Sequence, residues 1–486
     1  MKSIVSLLLY AFGLHIAVTL ALQSFPTKPR VFILSDISNE PDDAESLVRY
    51  LLYSNQFQTE GIVAVTSTWL RDEVHPEDMR KIIHAYSKVV DNLNHHAPDD
   101  SPYPSAEYLL SILRHGPAKY GMSAVGGNNT LSSGAQLLIE RLEAPSDQPL
   151  WVLGWGGTNV LAQALDHIHR EHTPAQAAAL RSKLRVYTIS DQDDTGAWIR
   201  HRYPEIFYIA SVHGWNQYGL AAWTGISGEH YYGFDAGGPD NTMLTHDWIR
   251  EHIQIGPLGA VYPDYAYIVE GDTPSFLYLV QNGLGVSEHP EYGSWGGRYK
   301  LVTPSPNGLE FRHYADAGDT VVGDGNRTFV SNQATIWRWR SAYQNDFAAR
   351  MQWSLPAVVG KGNHHVEIVV NGTGGLEPMT VKATAGSTVV LDAGETSDPD
   401  GDALRFRWFH YREPSSDDWN VAGAVPLLGI SPFGTSGEKV RVHIPSAEKA
   451  CDGGECLLLH LILEVTDAGS PPLTMYRRVL IQVEQS

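Results

Sequence analysis

The stretch Val31-Phe-Ile-Leu-Ser-Asp-Ile-Ser-Asn-Glu-Pro-Asp-Asp-Ala44 carries the pattern on which the fold prediction rests. Its first four residues are apolar and predict a buried β-strand, Val31–Leu34. After it, apolar residues recur at the spacing of one helical face: Ala44, Leu47, Val48, Leu51 and Leu52. The stretch therefore predicts a strand and a helix that are joined by an acidic loop.

The same alternation of strand and helix continues to about residue 300. Further strands are predicted at Gly61–Val65, Leu150–Leu153, Arg185–Ile189 and Ile206–Ala210. Helical patterns lie between them, and Thr173 followed by a proline is typical of a helix start. Such alternation predicts an α/β domain over residues 29–300, with a mostly parallel, doubly wound sheet covered by helices on both faces.

The pattern changes after about residue 360, where short strands are separated by turn residues. The predicted strands are Val366–Val370, Thr380–Thr384, Thr388–Leu391, Leu404–Tyr411, Val440–Ile444, Leu457–Val465 and Tyr476–Val483. Seven short strands in this length are typical of an immunoglobulin-like β-sandwich, assigned to residues 361–486. Residues 301–360 are expected to connect the two domains.

The charge balance limits the partners that the protein can have. The 486 residues contain 35 Lys and Arg against 55 Asp and Glu, a net charge of -20. A surface this acidic repels a phosphate backbone, so we expect no nucleic-acid partner.

The N-terminus predicts an export signal. Lys2 precedes an apolar run that ends near small residues at about residue 21, so residues 1–21 are interpreted as a signal peptide. An N-terminal membrane anchor is the alternative, and no later stretch is long and apolar enough to cross a bilayer. We therefore expect a secreted, extracellular protein with no membrane partner.

Two further features fit export. Sequons place candidate glycosylation sites at Asn128, Asn326 and Asn371. The only two cysteines, Cys451 and Cys456, would close a small disulfide ring in an oxidising compartment.

The acidic loop after the first strand is the main candidate for chemistry. The carboxyl ends of parallel strands form the ligand crevice of such sheets. Several carboxylates crowded there repel one another unless a cation lies among them, and oxygen ligands of this kind suit Ca²⁺. The alternative interpretation is an acidic loop that caps a helix and binds no metal.

The loop Asp36-Ile-Ser-Asn-Glu-Pro-Asp-Asp43 resembles that of a cellulose-binding protein family with a nucleoside hydrolase-like domain, which is distantly similar to inosine-uridine nucleoside hydrolases. The resemblance continues through Trp151-Val-Leu-Gly-Trp-Gly-Gly-Thr-Asn159, Ile189-Ser-Asp-Gln-Asp-Asp194, Trp223-Thr-Gly-Ile-Ser-Gly228, Glu270-Gly-Asp-Thr-Pro-Ser275, Tyr292-Gly-Ser-Trp-Gly-Gly-Arg298 and Gln344-Asn-Asp-Phe-Ala-Ala-Arg-Met351. It covers nearly all of the chain after the predicted signal peptide.

The resemblance implies a calcium site. Its ligands would be Asp43, the backbone carbonyl of Trp155 and a late aspartate, either Asp272 or Asp247, of which we favour Asp272. Asp36 is a fourth candidate ligand.

The resemblance also implies a catalytic set. Asp42 would accept a sugar hydroxyl, and Asp36 or Glu40 would act as general base. Nucleoside hydrolases have a further acid in this loop where the chain has Ser38, so the nucleoside substrate need not carry over.

Other residues are candidates for binding substrate. Asp191 and Asp193 follow a strand end and could accept sugar hydroxyls, or they could simply cap a helix. Trp223 and Trp295 lie in glycine-rich loops and suit a glycan groove, although packing in local cores is the alternative. Asn39 and Asn159 complete the set.

Three functions follow from these observations. The first is a secreted glycoside hydrolase that uses a Ca²⁺-assisted water and acts on plant cell-wall polysaccharide or oligosaccharide. The second is a non-catalytic polysaccharide-binding protein, and the third is a nucleoside N-ribohydrolase. The oligomeric state is left open.

Overall fold

The computed structural model describes residues 22–213, 215–302, 312–415, 422–452 and 454–485. The predicted signal peptide and part of the expected connecting segment lie outside these ranges. Across them, no helix combines the length and the apolarity that crossing a membrane requires.

The first domain is built on an eight-stranded sheet. Its strands are β1 (Arg30–Ser35), β2 (Gln58–Ala64), β3 (Leu113–His115), β4 (Leu150–Gly154), β5 (Leu184–Thr188), β6 (Phe207–Ala210), β7 (Tyr299–Val302) and β8 (His313–Asp316). Their order is β3-β2-β1-β4-β5-β6-β8-β7, and every neighbouring pair is parallel except β7 with β8. The predicted parallel α/β sheet is confirmed.

The chain reverses its direction of winding between β1 and β4. From β1 it proceeds outward to β2 and β3, then returns to β4 on the other side of β1. In open parallel sheets the loops at this point separate and leave a crevice at the carboxyl ends of the strands. The acidic loop follows β1 and the Trp155 segment follows β4, so both lie at this crevice.

Helices surround the sheet, and one short helix lies among the strands of the second domain. They are α1 (Asp42–Tyr53), α2 (Pro76–Tyr86), α3 (Val90–Asn94), α4 (Ala106–Ser111), α5 (Ser133–Glu143), α6 (Asn159–Glu171), α7 (Pro174–Ser182), α8 (Thr195–Arg202), α9 (Glu229–Tyr232), α10 (His246–His252), α11 (Gly256–Gly259), α12 (Pro274–Leu277), α13 (Ala334–Trp337), α14 (Arg340–Trp353) and α15 (Ala447–Ala450).

Helix α1 illustrates why the sequence folds as it does. Its first turn carries Asp42, Asp43 and Glu45, which the positive end of the helix dipole favours. Its apolar face, including Leu47 and Leu51, is fully buried in the core cluster that also contains the apolar residues of β1 and β2. The helix therefore presents carboxylates at the crevice while it is anchored through the core.

A separate hairpin, β9 (Asp319–Val322) and β10 (Thr328–Ser331), comes before the second domain. The strands of the second domain are β11 (Met379–Thr384), β12 (Thr388–Asp392), β13 (Arg405–Tyr411), β14 (Gly429–Phe433), β15 (Lys439–His443), β16 (Cys451–Asp452), β17 (Glu455–Cys456), β18 (Leu458–Thr466) and β19 (Thr474–Glu484). They form a sandwich of a four-stranded sheet, ordered β11-β19-β18-β13, and a three-stranded sheet, ordered β12-β15-β14. A disulfide joins Cys451 to Cys456 and closes the β16–β17 hairpin.

Within the two sheets of the sandwich, two strand assignments differ from the prediction. Residues 366–370 form only isolated bridges, although Val366 and Val370 are buried. The alternating apolar residues of this segment are buried, but the segment forms no continuous hydrogen-bonded ladder with a neighbouring strand. Strand β14 was not predicted, because its glycine, serine and proline have low strand propensity and its pairing with β15 is a long-range contact.

The described residues 312–360 of the expected connecting segment pack with the first domain. They contribute β8 to the sheet, and α14 packs on α1. Asp319 accepts hydrogen bonds at 2.7 Å from Arg298, from Arg338 and from the Tyr411 hydroxyl of the sandwich. These buried contacts fix the sandwich against the first domain.

Candidate functional site

A pocket of about 180 Å³ lies at the crevice. Five carboxylate residues line it: Asp36, Glu40, Asp42, Asp43 and Asp272. Its aromatic lining consists of Trp69, Trp155, Tyr218, Trp223, Tyr231, Tyr232 and Tyr267. Loops after β1, β2, β4, β5 and β6 all contribute, as expected of a site at the carboxyl ends of parallel strands.

Three of the carboxylates form a compact group. One oxygen atom each from Asp42, Asp43 and Asp272 lies within 4.8 Å of the other two. Asp43 accepts a hydrogen bond of 2.5 Å from the Ser35 hydroxyl at the end of β1. The Oδ2 atom of Asp272 is buried and has no hydrogen-bond partner among the described residues.

The electrostatics of the group favour a positive charge. Burial, reinforced by the neighbouring aspartates, raises the pKa values of Asp43 and Asp272 well above the ordinary value. Burial and the charges of Glu40 and Asp36 raise the pKa of Asp42 to about 7. Burial raises the pKa of Asp36 to about 6. A bound cation would offset both the desolvation and the mutual repulsion.

The donor set fits a hard cation such as Ca²⁺, which takes oxygen ligands from carboxylates and carbonyls. The unpartnered Asp272 Oδ2 supplies an oxygen that a cation would satisfy. The Trp155 carbonyl also lies at the pocket and accepts a hydrogen bond from the Gln192 side-chain amide. A carbonyl oxygen has two lone pairs, so this contact leaves it able to bind a cation.

The pocket changes from acidic to aromatic between its floor and its mouth. Asp36, Asp43 and Asp272 are each 3% exposed and form the floor. Trp69, Tyr231 and Tyr267 are more than half exposed and form what we call the aromatic rim. The Tyr231 and Tyr267 ring centroids lie 5.5 Å apart.

Comparison with known proteins identifies the family of the chain. Residues 30–299 match the nucleoside hydrolase-like domain of the cellulose-binding Sde182 family, and residues 388–483 match the C-terminal domain of cellulose-binding protein Sde0182. The chain belongs to this family.

Among solved structures, the chain is similar to a nucleoside hydrolase-related hypothetical protein from Saccharophagus degradans that is described as associated with carbohydrate metabolism. The two are 33% identical with a TM-score of 0.75, over 94% of this chain and all of the other. Similarity to the type III effector XopQ, solved with adenosine diphosphate ribose, is much weaker, with 14% identity and a TM-score of 0.30 over 68% of this chain and 95% of the other. No protein of curated function matches the chain.

The structure brings most of the predicted ligands of this family member together. Asp36, Asp43, Asp272 and Trp155 all line the pocket, as do Asn39, Glu40 and Trp223. Asp42, assigned to a sugar hydroxyl, instead lies within the three-carboxylate group. The rival ligand Asp247 has an almost fully exposed side chain that pairs with Arg250 in α10.

Four predicted substrate-binding residues lie elsewhere. Asp191 forms a two-point ion pair with the Arg200 guanidinium, at 2.8 and 2.6 Å. Asp193 accepts a hydrogen bond of 2.8 Å from the Thr195 backbone amide at the start of α8. These contacts correspond to the alternative in which the two acids stabilise a turn and a helix start.

The other two are also structural in this arrangement. The Asn159 amide donates to Thr66 Oγ1 and to the Lys119 carbonyl, each at 2.9 Å, and so joins two loops. Trp295 is 1% exposed and packs edge-on against Tyr476 of the sandwich. Its glycine-rich sequence context suggested a loop at the surface, but the second domain covers it.

The sequence interpretation missed much of the aromatic rim. Trp69 follows β2 at its carboxyl end, so its position after a predicted strand was a usable signal. Tyr267 lies in an irregular segment with no periodic pattern, and only the long-range fold places it beside Tyr231.

Proposed function

We propose that the protein is secreted, binds polysaccharide of the plant cell-wall type and hydrolyses a glycosyl bond at the acidic pocket. The observation that carries the proposal is a floor of clustered carboxylates beneath an exposed aromatic rim. The first feature suits cation-assisted sugar binding, and the second suits the apolar faces of sugar rings.

The volume of the pocket fits a small bound group. Sites that enclose a drug-sized molecule measure roughly 300–1,000 Å³. A pocket of about 180 Å³ therefore suits one sugar ring at the floor. The rest of a longer ligand would lie across the rim, where aromatic faces can stack on it.

Different residues would bind the cation and transfer protons. Asp42, Asp43 and Asp272 would hold Ca²⁺, together with the Trp155 carbonyl. The ion, when bound, supplies positive charge that binds sugar hydroxyls and makes a water more acidic. Asp36 and Glu40 line the pocket outside the three-carboxylate group, so we assign them proton transfer.

One donor at the pocket could orient the sugar. The Trp223 indole Nε1 is buried and, within the described ranges, has no hydrogen-bond partner. A buried indole N–H normally finds an acceptor. We assign it a sugar hydroxyl.

Surface features support secretion. Asn128, Asn326 and Asn371 are all exposed, so each sequon is accessible to glycosylation. The Cys451–Cys456 disulfide is of the kind that persists in oxidising compartments.

A non-catalytic polysaccharide-binding protein is the second candidate. The family description names cellulose binding. The chain has Ser38 where nucleoside hydrolases have a further acid, which favours a pocket that binds sugar without a metal-assisted reaction.

The test is product release by the purified protein, in calcium and in excess chelator. Substrates would be plant cell-wall polysaccharides, their oligosaccharides, inosine and uridine. Chelator-sensitive sugar release that Asp43→Asn abolishes, and that Asp247→Asn leaves intact, supports the hydrolase. Retention on polysaccharide without any product supports the binding protein, and release of a nucleobase alone supports the nucleosidase.

A further inference from the structure

The backbone holds two unusual residues near the pocket. In the described part of the chain, the non-glycine residues with positive φ are Ser38, Asp235, Glu270, Asn326 and Asn371. Asn and Asp adopt this region comparatively readily, whereas other residues seldom do. Ser38 at φ 82° and Glu270 at φ 58° are therefore the two outliers that require an explanation.

Both outliers flank the three-carboxylate group. Ser38 lies in the loop between Asp36 and Asp42, and Glu270 lies two residues before Asp272. Strained backbone persists only where the surrounding contacts enforce it, and it concentrates at functional sites. Their shared location suggests that the strained backbone helps to position the three carboxylates.

Glu270 is held at every polar atom. Its Oε2 accepts from the Arg49 guanidinium at 2.6 Å, and its Oε1 accepts from the Tyr262 hydroxyl at 2.8 Å. Its backbone amide donates to Glu45 Oε2 at 2.8 Å, and its carbonyl accepts from the Thr273 amide at 3.2 Å. The side chain is 1% exposed, so its position is closely determined.

Two of these four contacts come from α1. Glu45 and Arg49 are one helical turn apart and bind Glu270, while the Ser46 hydroxyl accepts from the Thr273 hydroxyl at 3.0 Å. The same helix carries Asp42 and Asp43 in its first turn. Helix α1 thus holds two of the clustered carboxylates directly and braces the loop of the third on both sides.

Gly271, between Glu270 and Asp272, shows how closely this loop approaches the three-carboxylate group. A Cβ atom on Gly271 would lie 2.5 Å from Asp42 Oδ2, so a side chain there would collide with the group. The loop must pass at this distance for Asp272 to reach Asp42 and Asp43. A turn at Glu270 directs the chain along that path.

We propose that Glu270 is a positioning residue: its left-handed backbone conformation, held by Arg49 and Glu45 of α1, directs Asp272 toward Asp42 and Asp43. The inference rests on the cation site proposed above and adds a residue that does not itself touch the ion. Residues of this kind around metal ligands typically change metal affinity by about 10- to 100-fold when they are mutated.

The test compares three variants with the wild-type protein by calcium titration calorimetry. Glu270→Gln keeps the length of the side chain but removes its charge, and Glu270→Gly accepts the backbone conformation but loses every side-chain anchor. We expect the calcium dissociation constant to rise by about tenfold or more in both variants. Asp346→Asn is the matched control, because it breaks the buried 2.6 Å ion pair with Arg350 on α14 away from the pocket.

A second measurement separates positioning from general destabilisation. Terbium(III) replaces calcium, and its luminescence lifetimes in H₂O and D₂O report how many waters the ion keeps. Loss of the Asp272 ligand should add bound water in the Glu270 variants and not in Asp346→Asn. If Glu270→Gln does not fold, Arg49→Met with Glu270→Gln removes the unpaired buried charge and keeps the test available.

The outcomes are distinct. Absence of calcium binding by the wild-type protein overturns the cation site and this inference with it. Wild-type binding with unchanged affinity and hydration in the Glu270 variants overturns this inference alone. Equal losses in Asp346→Asn and the Glu270 variants also overturn it, because they would reflect stability and not position.

Discussion

The substitution Asp42→Asn should stabilise the calcium-free protein at alkaline pH, although it damages the site. A pKa raised from 3.8 to about 7 corresponds to roughly 4 kcal/mol of destabilisation once the carboxyl is ionised. Asparagine removes that cost but forfeits the interaction of a negative charge with the α1 dipole, roughly 0.3–1 kcal/mol. The net gain at pH 8 is about 3 kcal/mol.

The pH dependence follows from the direction of the shift. Because the folded-state pKa lies above that of the unfolded chain, the cost is absent below about pH 4 and complete above about pH 7. The advantage of Asp42→Asn should therefore disappear in acid. Calcium at about 1,000 times its dissociation constant should reverse the order at pH 8, because it stabilises the wild-type protein by about 4.1 kcal/mol, which exceeds the gain from the substitution.

The assay is thermal unfolding in chelator at pH 4.5 and pH 8, and in calcium at pH 8. For a unit of roughly 300 residues the unfolding entropy is about 0.6 kcal/mol/K, so the expected gain in Tm at pH 8 in chelator is about 5 °C. Asp247→Asn, on an almost fully exposed side chain, should change stability by less than about 0.5 kcal/mol. A Tm for Asp42→Asn below that of the wild-type protein, in chelator at pH 8, would show that the ionised Asp42 carboxylate does not destabilise the fold.

Three further predictions concern other parts of the molecule. Burial lowers the pKa of His96 to about 4, so its contribution to stability should be complete above about pH 6.5 and be lost as the pH falls toward 4. His96→Phe should reduce this loss in acid denaturation curves, and an unchanged curve would argue against it. Trp69→Ala should weaken polysaccharide retention in affinity electrophoresis by about 2- to 10-fold, which corresponds to the stacking energy of one ring. Tyr108→Ala, on an exposed tyrosine outside the acidic pocket, should leave retention unchanged, and equal effects of the two substitutions would contradict a role for the aromatic rim. Replacing both Cys451 and Cys456 with serine should lower the free energy of unfolding by about 2 kcal/mol, as expected for a disulfide that closes a short loop. A denaturant titration that shows no loss would mean that the disulfide does not stabilise the fold.

The parts of the fold that depend on local pattern were predictable from the sequence. Strand β1 and the buried face of α1 follow from short-range apolar spacing, and the ends of β1 and β4 locate the crevice. Strand β14 was missed because proline and glycine obscure its pattern and its partner is supplied by tertiary pairing.

The site was only partly predictable for the same reason. Asp43 and Asp272 could be placed because each lies in a distinctive motif. The burial of Trp295 depends on Tyr476, which lies in the other domain and is distant in sequence. The contacts that hold Glu270 come from α1, more than two hundred residues away, and no local pattern reports them.

Calcium titration calorimetry of the wild-type protein and Asp272→Asn tests most directly whether the three-carboxylate group holds one cation. We expect one calcium ion per wild-type chain, and binding that is lost or weakened at least tenfold in the variant. No heat of binding in the wild-type protein, or equal affinity in Asp272→Asn, would contradict this expectation.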